Sequence, residues 1–376
     1  MKLAVLGAGM VGSAIAIDLC KNFEVTSVDR SSESLDQVKR KEPSIKILQY
    51  DLSNYNGYKD LLTEFDLVVT AVPGFMGYKT LEAVINAGKD VVDISFFPED
   101  ALTLDKQAKK NNVTAIVDCG VAPGMSNFVL GYYNQRMKIE RFNCMVGGLP
   151  KRRIKPFEYK APFSPVDVIE EYTRPARFIE DGKLITKEAL TDPELIDFEK
   201  PGTLESFNTD GLRSLLFTMG HIPNMKEKTL RYPGHIGLIS SLIKAGFFDE
   251  NPITINGVEI SPLAFSSKIL IDQWKLSKNE VEFTVMRIKL EGIKNNKPYQ
   301  VTYHLYDEYD AATETSSMAR TTGYTCNAAV NLIAKKLFKE KGVFPPELVG
   351  HNEACFNFVL QYLHDRGVIY TKTESL

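Results

Sequence analysis

Paired cysteines, long apolar runs and a strong excess of either charge are all missing from this 376-residue chain. The five cysteines, Cys20, Cys119, Cys144, Cys326 and Cys355, form no CxxC pair, so zinc and thioredoxin-like chemistry lack their usual scaffold. An odd, scattered set fits a reducing compartment, where buried free thiols are the ordinary outcome. His351, Glu353 and Cys355 in "GHNEACF" resemble metal ligands only by spacing, and no metal is expected. A net charge of -3 and a pI near 6.1 give no electrostatic case for nucleic acid or an anionic membrane. No basic run has aromatic residues interleaved in the manner of a single-strand binder. The cluster "PKRRIKP" at 150–156 reads as a solvated loop or as an attractor for an anionic substrate. No apolar stretch approaches the length of a bilayer span. The chain enters a strand at once with no signal peptide before it, and a cytoplasmic location is expected.

What is present begins with "LAVLGAGMVGSAIAIDL", residues 3–19. Leu3 to Leu6 form an apolar run suited to a strand covered on both faces. Val11, Ile15 and Leu19 recur at helical steps. Gly7, Gly9 and Gly12 therefore fall at a strand-to-helix turn. There Gly7 turns tightly, Gly9 lets backbone approach a pyrophosphate, and Gly12 lets the helix press on the sheet. The helix N-terminus offers free N–H groups to the phosphates. Asp29 stands 22 residues after Gly7, at the end of "EVTSVDR". A carboxylate there accepts hydrogen bonds from the adenosine ribose hydroxyls and repels a 2′-phosphate, which favours NAD over NADP. Arg30, Ser31 and Ser32 follow it and suit a 2′-phosphate instead.

The first 128 residues alternate strand and helix, which predicts a doubly wound parallel sheet of the Rossmann type. Ligands bind outside the carboxyl ends of such strands. That edge should collect Gly7, Asp29, Asp51, Pro73, Ser95 and Asp118. With Gly9, Met10, Val11, Gly12, Arg30, Leu52, Ala71 and Gly120, they make up the expected cofactor contacts. After about residue 128 the pattern changes to longer strands, such as "VEFTVMRIKLEGI" and "PYQVTYHLYDEYD". Residues 129–314 therefore read as a separate α+β domain with a mixed or antiparallel sheet. The helical pattern returns in "TGYTCNAAVNLIAKKLFKEKG", with Gly342 as its stop, and the tail "TKTESL" reads as frayed.

Several segments carry chemistry. "VDCGVAPGMSN" places Asp118 at a strand tip, as a candidate proton acceptor or as part of a tight turn. "ESFNTDGLRS", "TLRYPGHIG" and "SSMARTTGY" set Arg213, Arg231 and Arg320 in glycine-containing turns. Each guanidinium suits a carboxylate, although a surface ion pair is the commoner fate of a single arginine. His235, four residues after Arg231, is a candidate for proton transfer or a hydrogen-bonded structural group. "PFEYKAPFSP" offers Glu158 and Tyr159 in a proline-bounded loop, where a carboxylate suits a substrate ammonium.

Together "GAGMVG", "DCGVAPGMSN", "VGGLP", "EEYTRPAR", "DGLRS", "LRYPGH" and "SSMARTTGY" resemble the saccharopine dehydrogenase-like family, and within it the lysine 6-dehydrogenase branch. The resemblance runs from residue 2 to about 350. It implies that the C-terminal helices, 315–376, complete the Rossmann domain. It also implies a homodimer or homotetramer acting on a small amino-acid substrate, with no nucleic-acid or membrane partner. The implied reaction is NAD-dependent oxidation of the ε-amine of L-lysine, with the hydrolysed product cyclising to piperideine-6-carboxylate. By motif it brings Arg213, Arg231, His235, Arg320 and Thr321 to the substrate. Two alternatives stand: saccharopine or carboxynorspermidine chemistry with NADP, and a nucleotide-binding regulatory protein without turnover.

Overall fold

The computed structural model describes residues 1–277 and 280–375. Strands β1 (Lys2–Leu6), β2 (Glu24–Asp29), β3 (Lys46–Gln49), β4 (Leu67–Thr70), β5 (Asp90–Asp93) and β6 (Thr114–Ile116) alternate with helices. Next come β7 (Lys138–Pro150), β8 (Ala176–Glu180), β9 (Lys183–Lys187), β10 (Glu194–Phe198), β11 (Gly202–Asn208) and β12 (Asn224–Arg231). The chain continues through β13 (Ile253–Ile255), β14 (Val258–Ile260), β15 (Glu282–Lys294), β16 (Lys297–Glu308), β17 (Gly342–Phe344) and β18 (Tyr370–Ser375).

The first sheet runs β17-β6-β5-β4-β1-β2-β3, parallel throughout. Its strand order reverses between β1 and β4, which opens a crevice at their carboxyl ends. Leu3 to Leu6 are wholly buried because helices cover both faces. The second sheet runs β10-β11-β12-β7-β15-β16-β18, with β8 and β9 attached beside β12. Within it β12 and β7 are parallel and the other neighbours antiparallel. The molecule is thus an α/β protein, a Rossmann sheet joined to a domain with a mixed sheet.

The last sixty residues differ from the sequence reading in two places. Helix Ser317–Ala334 stops well before Gly342. Lys336 takes a left-handed conformation (φ +58°), and Leu337 and Phe338 both turn their N–H groups back to Leu332 O. Gly342 instead opens β17. The tail is not frayed. β18 pairs with β16 from Leu305↔Tyr370 to Gln300↔Ser375, covering backbone groups that would otherwise face solvent. Leu376 lies outside the described residues. The C-terminal segment therefore divides, β17 joining the first sheet and β18 the second.

Asp18 fastens this segment to the first domain. Its buried carboxylate accepts from Asn327 Nδ2 (3.0 Å), Tyr362 Oη (2.7 Å) and Arg366 Nε (2.8 Å). Helix Ser317–Ala334 lies against helix Met10–Leu19, with Gly323 facing Ile15. One apolar core runs through this contact into the inner face of the second sheet. The other face packs helices Pro165–Thr173, His235–Lys244 and Pro262–Trp274 around buried Trp274.

Candidate functional site

A cavity of about 840 Å³ lies between the carboxyl ends of the first sheet and the second domain. Its outer wall is the strand-to-helix turn. A Cβ on Gly7 would stand 2.3 Å from Ala71 O, and one on Gly12 would stand 2.0 Å from Gly7 O. Both glycines are required by the turn itself. A Cβ on Gly9 meets nothing within 4 Å, so that position faces open space. Gly9 also caps helix Met10–Leu19 without a side-chain bond, leaving first-turn N–H groups free for an anion. Asp29 accepts from Ala8 N (2.7 Å) and Ser31 N (2.8 Å), which fixes its carboxylate beside the turn. Gly7, Gly9, Met10, Val11 and Gly12 line this wall, followed by Asp29, Arg30, Asp51 and Leu52. Ala71, Pro73, Ser95, Asp118 and Gly120 continue it toward the second domain. An open glycine cradle, a free helix N-terminus and an acid at the β2 tip fit a dinucleotide.

The inner end comes from two regular elements. On β12 the two-residue period sends Glu227, Thr229 and Arg231 to the cavity, while Leu230 joins the opposite core. Helix Pro165–Thr173 and the residue after it present Asp167, Glu170, Glu171 and Arg174 at i, i+3, i+4 and i+7. The other side of that helix buries Val168, Ile169 and Tyr172. Asp118 and Asp210 complete the wall.

Four side-chain polar atoms of the lining are buried without hydrogen-bond partners among the described residues: Ser95 Oγ, Asp167 Oδ1, Arg174 Nη1 and Glu227 Oε2. The second amino group of Arg174 pairs with Glu170. Burial, then the like charges of Glu171 and Asp210, pushes the Glu227 carboxyl up to about 8. Burial also takes Asp167 up to about 6. Asp118 is raised from the ordinary aspartate range by burial, while the Arg213 guanidinium pulls it the other way.

Most of the substrate residues expected from sequence lie elsewhere. His235 is buried behind the wall and outside the cavity lining. Its Nδ1 meets Phe157 O at 2.9 Å and its Nε2 meets Tyr172 Oη at 2.9 Å. Burial, with the nearby charge of Arg231, holds its imidazole down at about 3. It is neutral at physiological pH with both nitrogens engaged, which removes it as a proton acceptor. Glu158 is held by Arg153 (2.6 Å) and Lys155 (3.0 Å), so it is not free for an ammonium. Tyr159 is buried against Trp274, with Arg231 over its ring. Arg213 gives Nε to Asp118 Oδ1 (2.7 Å) and Nη1 to Phe97 O. Arg320 pairs with Asp307 (3.2 Å) and Asp310 (2.8 Å), beyond the cavity. Thr321 bonds within its own helix, to Ser317 O. Arg231 does line the cavity, but its N–H groups go to Tyr172 Oη, Leu230 O, Tyr159 Oη and Glu171 Oε2. One of its five N–H donors is left over.

Sequence reasoning passed over Arg174, Glu171, Asp167, Glu170, Asp210 and Glu227. The helical spacing of four polar residues in "PVDVIEEYTR" was the available signal. For Glu227 it was a carboxylate inside an otherwise strand-forming run. The described residues include no group of His, Cys, Asp and Glu arranged to hold a metal, and all five cysteines are free. No helix among them is long and apolar enough to cross a membrane.

Residues 3–116 match the family model for the saccharopine dehydrogenase NADP binding domain, and residues 120–368 that for the saccharopine dehydrogenase C-terminal domain. Mitochondrial alpha-aminoadipic semialdehyde synthase of Rattus norvegicus is 23% identical over 301 residues, 74% of this chain and 32% of that protein. Saccharopine dehydrogenase [NADP(+), L-glutamate-forming] of Saccharomyces cerevisiae is 22% identical over 278 residues, 70% of this chain and 61% of that one. The chain spans about a third of the length of the mammalian relatives it matches. In fold, apo saccharopine dehydrogenase (L-Glu forming) from Saccharomyces cerevisiae superposes with a TM-score of 0.80 at 18% identity, covering 100% of both chains. The glycine turn, the two-sheet architecture and the two family models agree across nearly the whole chain, which belongs to the saccharopine dehydrogenase family.

Proposed function

We propose that this chain oxidises a carbon–nitrogen bond of a cationic amino acid with a nicotinamide dinucleotide, and that the reaction is removal of the L-lysine ε-amine with NAD. The charge of the inner cavity carries the substrate class. Of the carboxyls lining it, Asp118, Glu170, Glu171 and Asp210 are paired with Arg213, Arg174, Arg231 and Arg177, which leaves Asp167 and Glu227 without a cationic partner among the described residues. A tricarboxylate such as saccharopine needs several free guanidinium groups, yet Arg213 and Arg320 are committed to ion pairs. Arg174 Nη1 and one N–H of Arg231 suffice for a single carboxylate. One carboxylate and two ammonium groups describe lysine.

A bound nicotinamide ring supplies the hydride acceptor. The chain's own residues anchor, orient and deprotonate. Arg174 fixes the substrate carboxylate and so sets which end reacts. Asp118, one oxygen held by Arg213, accepts the proton that the reacting ammonium must lose, directly or through water. Asp29 at the ribose favours NAD.

The competing reading is an NADP-linked reaction on saccharopine. It has in its favour the NADP(+)-linked saccharopine dehydrogenase of Saccharomyces cerevisiae among the relatives, the match to an NADP binding domain, and Arg30 beside Asp29 on the cavity wall. A screen of NADH and NADPH formation across L-lysine, L-ornithine, saccharopine and cadaverine tests both. Lysine with NAD is expected to be fastest. Saccharopine with NADP outrunning the others defeats the lysine assignment. Dinucleotide binding without oxidation of any amine favours a regulatory protein.

A further inference from the structure

We propose that Glu227 is a specificity-determining residue that holds one of the substrate's ammonium groups, so that the enzyme selects amines carrying a second positive charge. The inference rests on the cationic amino-acid reading and assigns it to one side chain. Glu227 is 6% exposed, lines the cavity, and keeps Oε2 buried with no partner among the described residues. A buried carboxyl in that condition costs free energy unless something polar arrives.

The surroundings leave that place to a cation. Glu171 faces Glu227 from helix Pro165–Thr173, Asp210 and Arg213 from the segment after β11, Asp118 from the tip of β6, and Cys144 from β7. Arg213 is already bonded to Asp118 and to Phe97 O. Neither that guanidinium nor any other cationic side chain forms an ion pair with Glu227 among the described residues. Glu171, Asp210 and Asp118 are each already paired, with Arg231, Arg177 and Arg213, whereas Glu227 has no cation among the described residues, so an entering ammonium supplies the donor that Glu227 alone of the four lacks. A small residue beside Glu227 keeps its head in position. A Cβ on Gly211 would stand 1.8 Å from Glu227 Oε1, so the absent side chain is the room the carboxyl occupies.

The test is equilibrium binding to enzyme loaded with NADH, which holds the cofactor in place and cannot accept hydride. L-Lysine, 6-aminohexanoate (no α-amine) and L-norleucine (no ε-amine) are titrated calorimetrically into the wild type, Glu227→Gln and Gly211→Ala. With its carboxyl pushed up to about 8, Glu227 gives up its proton as the ammonium arrives; Glu227→Gln keeps the shape and removes that ionisable group. Losing a hydrogen bond to a charged group should weaken lysine by about 10- to 100-fold. One of the two single-amine analogues should escape the loss, and which one does identifies the ammonium held. Gly211→Ala displaces the carboxyl and should weaken lysine in the same direction, with thermal midpoints reporting the fold of both variants. Unchanged lysine affinity in Glu227→Gln overturns the proposal. So does an equal loss for both analogues, which signals general damage, and so does a wild type that binds none of the three. A wild type that binds lysine through Glu227 but oxidises it with neither cofactor leaves this assignment standing and removes the lysine-oxidation reading instead.

Discussion

At the scale of single residues, three glycines in one motif do two different jobs. Gly9→Val points its side chain into open space, so the protein should fold normally and lose dinucleotide binding. Gly12→Ala has no such room, because its Cβ would sit 2.0 Å from Gly7 O. Overpacking of this kind costs about 1–3 kcal/mol, more than the gain in helix propensity returns. Thermal melting and calorimetric NAD titration separate the two. Equal melting midpoints for both variants, or retained NAD affinity in folded Gly9→Val, would count against the division. The proposed preference for NAD rests on Asp29. Asp29→Ala removes the ribose acceptor and the negative charge, but it also frees Ala8 N and Ser31 N. Affinity for both cofactors can fall for that second reason, so the informative quantity is the ratio. NAD should bind tighter than NADP in the wild type, and the ratio should shrink in the variant. A wild type that prefers NADP, or a ratio the substitution leaves alone, goes against the NAD assignment.

At the scale of elements, Asp18 decides how firmly the C-terminal segment joins the first domain. Burial opposes its ionisation, but Arg366, Asn327 and Tyr362 outweigh that and hold the carboxyl below its ordinary value. Asp18→Ala leaves the Arg366 charge behind without its partner and should cost about 3–5 kcal/mol, read as a lowered urea midpoint. The folded value lies below the unfolded one. The contribution is therefore complete above an unfolded pKa of about 3.9, and it fades as pH falls through the folded value. A variant whose stability deficit persisted unchanged at the lowest pH would contradict this. Joints of this kind are what sequence reading sees least. β1 to β6 were legible because each apolar run is bounded by a local turn and followed by a helical period. Edge strands β9, β10, β13 and β14 were not, since most of their residues face solvent and carry no alternation. The polar stripe of helix Pro165–Thr173 reads the same in sequence whether it faces water or a polar cavity. The partners of the arginines were hidden for a related reason. Arg213 finds Asp118, Arg231 finds Glu171 and Arg320 finds Asp307, each through tertiary folding. No local pattern distinguishes a paired guanidinium from a free one.

At the scale of the whole molecule, the cavity joins a phosphate-binding turn on one domain to a carboxyl-rich strand and helix on the other. Substrate choice then depends on the few groups that the two domains leave unsatisfied. On the proposed lysine reading Arg174 anchors the carboxylate, since its Nη1 is buried without a partner among the described residues while its other amino group is tied to Glu170. Arg320, in contrast, spans Asp307 and Asp310 outside the cavity and should affect stability rather than turnover. Removing one member of a buried charge contact costs about 2–4 kcal/mol of transition-state binding. Arg174→Ala should therefore lower kcat/KM for L-lysine by about 30- to 1000-fold. Cadaverine is lysine without the carboxylate, so the wild type should use it about as poorly as Arg174→Ala uses lysine. Deleting the carboxylate and its anchor together should cost little more than deleting either, because the two changes remove the same contact. Steady-state kinetics of both enzymes with both substrates closes that cycle. If Arg174→Ala reduced cadaverine turnover as severely as lysine turnover, the arginine would be shaping the cavity rather than holding a carboxylate. If wild-type enzyme used cadaverine as well as lysine, there would be no carboxylate contact to explain.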